Sequence, residues 1–318
     1  MALLTEAAAA ARAGRAGRRA DARAARPQTR TLISPVQLGR VRGRLVYRIV
    51  LTVVIVVFTL VFIGPLYFLF SDGLKSTQEA IQVPPTLIPA HVHPASYVQA
   101  WDRVSVGRLL FNTLYYAFGA LAFQLVFDVA AAYALSKLRP VLGNVIFALM
   151  LATLMIPSTV LVVPQYLTVA SLPILHLNLI GTPEAIWLPS VANAFNIFLL
   201  KRFFDSIPRE LLDAAAVDGA PPLRVLYRVV LPISRPILGV VSIFGVVAVW
   251  KDFLWPLLVE YGYQPTRFTL NVGISQSPQI AENLILAASA MAAIPTIIFF
   301  LIFQRNIVAG LTAGGIRG

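Results

Sequence analysis

The chain has no cysteine among its 318 residues, which excludes thiol nucleophiles, disulfide cross-links and cysteine-ligated metals. Histidine is scarce too: His91, His93 and His176 are the only three. The first two have the spacing of a metal pair, but they stand in a proline-rich segment with no third ligand in view, so no metal site is expected. Charge is thin, with 13% of residues charged and only fourteen acidic. Those acids do not gather into a titratable set at one depth of the apolar segments, which argues against a membrane enzyme. No G-x-x-x-x-G-K-[ST] loop occurs, so the chain carries no such cradle for nucleotide phosphates.

What is present is apolar side chain. Hydrophobic residues make up 58% of the chain and the mean hydropathy is +0.77, more than one soluble core can bury and too little charge to cover a globule. A helix needs about 20 apolar residues to cross a bilayer. Six stretches are read as spans: 46–70, 109–135, 141–163, 185–200, 237–259 and 284–303. The fourth is the weakest, because Pro189, Asn193 and Asn196 interrupt it. The expected architecture is therefore an all-α polytopic membrane protein with six transmembrane helices.

Orientation follows from the tendency of Lys and Arg to stay on the cytoplasmic side. With both termini there, that side receives eleven arginines from Arg12 to Arg48, then Lys137, Arg139, Lys201, Arg202, Arg209, Arg224, Arg228, Arg235, Arg305 and Arg317. The outer side keeps Lys75, Arg103, Arg108 and Arg267, with Lys251 at membrane depth. Residues 1–45 form a separate basic region with only Glu6 and Asp21 as acids. It is read as an unstructured cytoplasmic tail near anionic head groups; an organelle transit peptide is the rival, and no convincing secretory signal is present. Residues 46–318 are the membrane domain. The net charge of +12 owes most to the tail, so it carries no nucleic-acid inference.

Between the fourth and fifth spans lies a polar stretch, residues 205–232, that reads as a helix-turn-helix facing the cytoplasm. Ser206 is expected to cap its first helix, with Pro208 in the first turn. Glu210 lies near the start, Asp218 near the end, and Gly219 terminates the helix in the left-handed conformation. Pro221 and Pro222 open a second helix that runs to Leu231-Pro232. The spacing of Asp213, Ala214, Ala215, Gly219, Val229, Leu231 and Pro232 resembles the EAA signature of the membrane subunits of ABC importers. Asp213 departs from it, standing where relatives usually carry glutamate.

The resemblance covers nearly everything from about residue 45 onward and is closest to the smaller permease subunit of carbohydrate importers of the maltose and glycerol-phosphate type. Pro84-Pro85-Thr-Leu-Ile-Pro89 followed by Tyr97, Asn112-Thr113, Tyr133-Ala-Leu-Ser-Lys137 and Trp250-Lys-Asp-Phe-Leu-Trp-Pro256 resemble segments of that family in the same order. The tail 310–318 resembles the family's C-terminus, with Thr312, Gly314 and Arg317 as residues that would reach the ATPase. The resemblance implies a heteromer in the bacterial cell membrane: this chain, a second permease subunit, an ATPase subunit dimer and an extracytoplasmic solute-binding protein. It implies ATP and Mg on the ATPase, and no cofactor on this chain. Glu210, Asp213, Ala214, Ala215, Asp218, Gly219, Leu231 and Pro232 would form the surface that couples to the ATPase.

Polar residues at membrane depth are expensive in lipid and face a protein interior, a partner or water. Asp128, Asn193, Asn196, Trp250 and Lys251 are the candidates for a substrate pathway, with Gln124 a similar case. Packing at a helix interface is the competing reading for each, since amides join helices as readily as they bind sugars. Lys251 also departs from the asparagine common in relatives. The assumed span ends put it roughly 10 Å farther out than Asp128, so a direct pair requires both side chains to stretch. The alternative from another class is a secondary transporter or channel driven by an ion gradient. That reading calls for inverted repeats; no clear repeat is present, and the helix-turn-helix would lack a role.

Overall fold

A computed structural model describes the backbone of residues 41–260, 264–277 and 279–313, with side chains as far as 304. Among these residues all regular structure is helical. The chain divides into two compact units, 1–64 and 65–318. In the first unit the described residues are helical and belong to α1, Val41–Asp72, whose mean hydropathy reaches 2.9. The last turns of α1 belong to the second unit.

The second unit is built around α4, Val106–Tyr133. Before it come two short helices, α2 (Thr77–Ala80) and α3 (Ala95–Arg103). Three apolar clusters stack along α4: one at Leu109, one at Tyr116, Ala117 and Ala120, and one at Val129, Ala132 and Tyr133. Ala117 and Ala132 are fully buried, as small residues are where helices approach closely. Gly119 has the same use, since a Cβ there would collide with the Trp187 indole. A π-helical turn, Ala134–Leu138, ends the helix, and Arg139 at φ +48° leads into Pro140.

Proline, asparagine and aspartate break the third, fourth and fifth apolar stretches. The expected third span is α5 (Gly143–Thr153) and α6 (Ser158–Ala170), bent by 107°. Pro157 supplies no N–H and pushes Ile156 out of the helical region, so a straight 141–163 helix does not form. The fourth is α7 (Glu184–Ser190) and α8 (Ala194–Asp205), with Asn193 as N-cap accepting from the Asn196 N–H. Next come α9 (Arg209–Val217) and α10 (Pro222–Ile233). The fifth stretch stops early: α11 (Arg235–Lys251) ends at an extended Asp252 that accepts from the Trp255 N–H and so opens α12 (Leu254–Glu260). A short α13 (Leu270–Ser275) precedes α14 (Glu282–Ala313). Among the described residues three helices, α1, α4 with its π turn, and α14, are each long and apolar enough to cross a membrane, or up to five crossings result if α5/α6 and α10/α11 each count as one.

Polar contacts tie the segment between α1 and α4 to α14. Lys75 is fully buried, pairs with Asp72 at 2.5 Å and donates to the Thr86 carbonyl at 2.6 Å. Glu79 accepts from the Ala90 N–H and the Thr86 hydroxyl. The Ala90 bond above all holds its carboxyl below the ordinary value. Asn283 of α14 donates to the Lys75 carbonyl and accepts from the Thr77 hydroxyl. His91 and His93 are exposed, and among the described residues no group of three metal-ligating side chains forms.

Candidate functional site

The helix pair α9/α10 stands on a buried base. Ile207, Leu226 and Val230 are buried in the cluster around Val129, Leu200 and Phe204, with Leu212 and Val225 packed beside them. Three polar contacts brace this base. The Tyr133 hydroxyl donates to the Pro222 carbonyl, Ser136 donates to Asp205 at 2.7 Å, and Lys201 pairs with the same carboxylate at 2.7 Å. Sequence reasoning missed the bonds from α4 and its π turn to this loop; the i,i+4 spacing of Lys201 and Asp205 was the one visible trace.

Capping decides where α9 begins and ends. Ser206 does not cap it, contrary to expectation: it ends α8, where its hydroxyl donates to the Phe203 carbonyl. The chain turns extended only at Pro208, ψ 138°, so the helix starts at Arg209. At the other end Gly219 lies at φ +65°, the Ala220 N–H bonds the Ala215 carbonyl, and the Gly219 N–H bonds the Ala216 carbonyl. These are the two bonds of a Schellman motif, which satisfies carbonyls the helix end leaves free. Pro221 and Pro222 start α10, and a π turn at Leu226–Val230 carries it to Leu231.

The outer face of this pair is uncovered. Glu210, Asp213, Ala214, Asp218, Gly219 and Pro232 are exposed, while Ala215 and Leu231 are half-buried. On the same pair Val217 is 89% exposed and Leu223 and Tyr227 67% each, and Arg209, Arg224 and Arg228 are exposed as well. Exposed apolar and charged side chains on a rigid, internally bonded base are suited to seating against another protein.

The other candidates separate into two places. Asp128 is fully buried, and its Oδ1 accepts from the Asn193 N–H at 3.0 Å, which joins α4 to the break between α7 and α8. Asn196, buried on the next turn, completes that group. Gln124 is buried on the same helix beside Gly245. Trp250 and Lys251 lie elsewhere, on a cavity between α11, α13 and α14. Asp128 and Lys251 form no ion pair: the carboxylate bonds Asn193, while the lysine is exposed. Of the tail residues, Thr312 falls within α14 without a described side chain, and Gly314 and Arg317 lie outside the described residues.

Long apolar helices, further apolar stretches broken at proline and asparagine, buried polar groups between them, and an exposed helix pair on an anchored base define a multi-pass membrane subunit. The chain belongs to the family of binding-protein-dependent transport system inner membrane components, which matches residues 124–312. It is 30% identical over 280 residues to the arabinooligosaccharides transport system permease protein AraQ of Bacillus subtilis, covering 86% of this chain and 97% of that one. It is 29% identical over 269 residues to the sn-glycerol-3-phosphate transport system permease protein UgpE of Yersinia enterocolitica, 81% and 94%. Melibiose/raffinose/stachyose import permease protein MelC of Bacillus subtilis is 28% identical over 262 residues. A solved bacterial ABC transporter involved in the import of the acidic polysaccharide alginate has a TM-score of 0.72 over 84% of this chain and 98% of its own, at 24% identity, which shows the fold. The chain is thus a transport permease of the inner membrane, not an enzyme.

Proposed function

We propose that this chain is one of two permease subunits of an ABC importer for a carbohydrate, and that α9 and α10 seat in a cleft of a separate ATPase subunit. The exposure of Val217, Leu223 and Tyr227 on the same helix pair as Glu210, Asp213 and Asp218 carries this reading. The relatives transport arabinooligosaccharides, sn-glycerol 3-phosphate and melibiose, raffinose or stachyose by their names, which supports a carbohydrate or polyol derivative here. In the cycle, a loaded extracytoplasmic binding protein meets the outer segments, ATP closes the ATPase dimer, and the spans attached to α9/α10 rock so that a central path opens outward. Hydrolysis returns it inward. A packed helix pair passes on such rigid-body movement because its buried face does not deform continuously.

Purification of the complex tests this directly. An ATPase and a second permease are expected to copurify, and uptake into proteoliposomes is expected to require ATP and to survive collapse of the ion gradients. Gradient-driven uptake without an ATPase would establish a secondary transporter instead. The orientation is open to a second measurement, helped by the absence of native cysteine. Single cysteines at Thr77 or Gln264 are expected to react with an impermeant maleimide in intact cells. Cysteines at Val141 and Ala220 are expected to react only after permeabilisation. Val141 is fully exposed, so shielding by this chain does not explain protection there. Labelling of Ala220 from outside overturns the cytoplasmic placement of α9/α10.

A further inference from the structure

A cavity of about 570 Å³ opens between α11, α13 and α14. That volume lies in the range of small-molecule sites, about 300–1,000 Å³. Its polar lining consists of Lys251, Asn271, Ser275, Ser289 and Thr296, with the Trp250 indole at one wall. Lys251 ends α11, roughly 25 Å along the helix from Arg235 at about 1.5 Å per residue, and its side chain is exposed. No carboxylate lines the cavity. Among the described residues no acid lies within ion-pair distance of its ammonium. The adjacent acid, Asp252, feels the lysine's charge without pairing with it: it caps α12 through the Trp255 N–H and lines a different cavity, beside Ser158, Gln165 and Ser190. Asn271 donates to the Trp250 carbonyl at 3.1 Å, which fixes the rim and leaves its amide oxygen free to accept.

An ammonium only donates hydrogen bonds, and at membrane depth an unpaired one is costly. Hydroxyls from α13 and α14 and an amide oxygen match a polyhydroxylated ligand, but the lysine adds a demand for negative charge that a neutral sugar does not meet. We propose that this cavity binds the anionic group, a carboxylate or a phosphate ester, of an acidic carbohydrate, with Lys251 pairing the charge and Ser289, Thr296 and Asn271 taking neighbouring hydroxyls. This rests on the importer reading above and adds the charge of its substrate.

The test uses the complete complex with its binding protein in proteoliposomes, supplied with digalacturonate, with glycerol 3-phosphate, and with a neutral galactose disaccharide. The first two distinguish a carboxylate from a phosphate as the source of charge. ATP-dependent uptake of one acidic probe is expected. Lys251→Gln should lower it by about tenfold or more, the scale of a lost charge-assisted hydrogen bond, while Lys251→Arg should keep most of it. Uptake of the neutral disaccharide alone, uptake of none of the three, or unchanged acidic uptake in Lys251→Gln overturns the proposal. So does loss of the second permease from the purified Lys251→Gln complex, which would assign the lysine to a subunit contact. ATP-dependent neutral uptake would overturn only the acidic substrate, whereas uptake driven by an ion gradient would overturn the importer reading itself.

Discussion

Replacing Gly219 with valine is expected to abolish substrate uptake while leaving insertion, yield and pairing with the second permease close to those of the native chain. Gly219 sits at φ +65°, where a residue with a Cβ is strained by roughly 1–2 kcal/mol and a β-branched one is a genuine outlier. Within this chain nothing lies within 4 Å of the place a Cβ would occupy. The strain is therefore local, and the base formed by Ile207, Leu226 and Val230 holds without it. What changes is the turn that joins α9 to α10, both its conformation and its bulk toward whatever it seats against. Gly219→Asn separates these two, because asparagine tolerates the left-handed region. Uptake recovered in the asparagine variant assigns the loss to conformation; loss in both assigns it to bulk. The decisive readout is stimulation of ATP hydrolysis by loaded binding protein in the reconstituted complex. Full stimulation and full uptake in Gly219→Val would remove this turn from the transmission path.

The second large effect concerns folding. Asp128→Leu is expected to lower the yield and the unfolding temperature of the detergent-purified complex, because it removes the acceptor of the Asn193 N–H inside the protein. An orphaned buried donor costs about 1–3 kcal/mol, and here it also frees the join between α7 and α8 from α4. Asp128→Asn keeps an acceptor oxygen in the same place, so it should retain most of the stability and most of the uptake. A stable Asp128→Asn complex that no longer transports would contradict this and assign the carboxylate's charge to the substrate path.

Prolines account for much of what was legible in advance and for what was not. Pro221 and Pro222 marked the start of α10, and Gly219 marked the end of α9, because both residue types act through their own backbone. Pro157 and Pro189 were equally visible, yet the size of the resulting bends was not. A 107° angle between α5 and α6 depends on what each half packs against. Ser206 shows the limit on a smaller scale. Its hydroxyl suits either helix beside it; it bonds the Phe203 carbonyl of α8, Ile207 follows in the buried cluster, and the chain turns extended only at Pro208.

By itself the sequence determined the helical class, the apolar stretches, the projecting helix pair and the membership in a transport family, since these follow from composition, from periodic apolar runs and from backbone-specific residues at set spacings. It also marked Asp128 and Lys251 as unusual, because charge at membrane depth is costly wherever it falls. Only the tertiary structure decided their partners. Asp128 and Asn193 are 65 positions apart and meet because α4 passes the break between α7 and α8. Lys251 lines one cavity with Asn271, Ser289 and Thr296 because α13 and α14 fold back onto the end of α11. Contacts of that kind depend on the three-dimensional path of the chain, on which helix crosses which and at what height, and no local spacing encodes it.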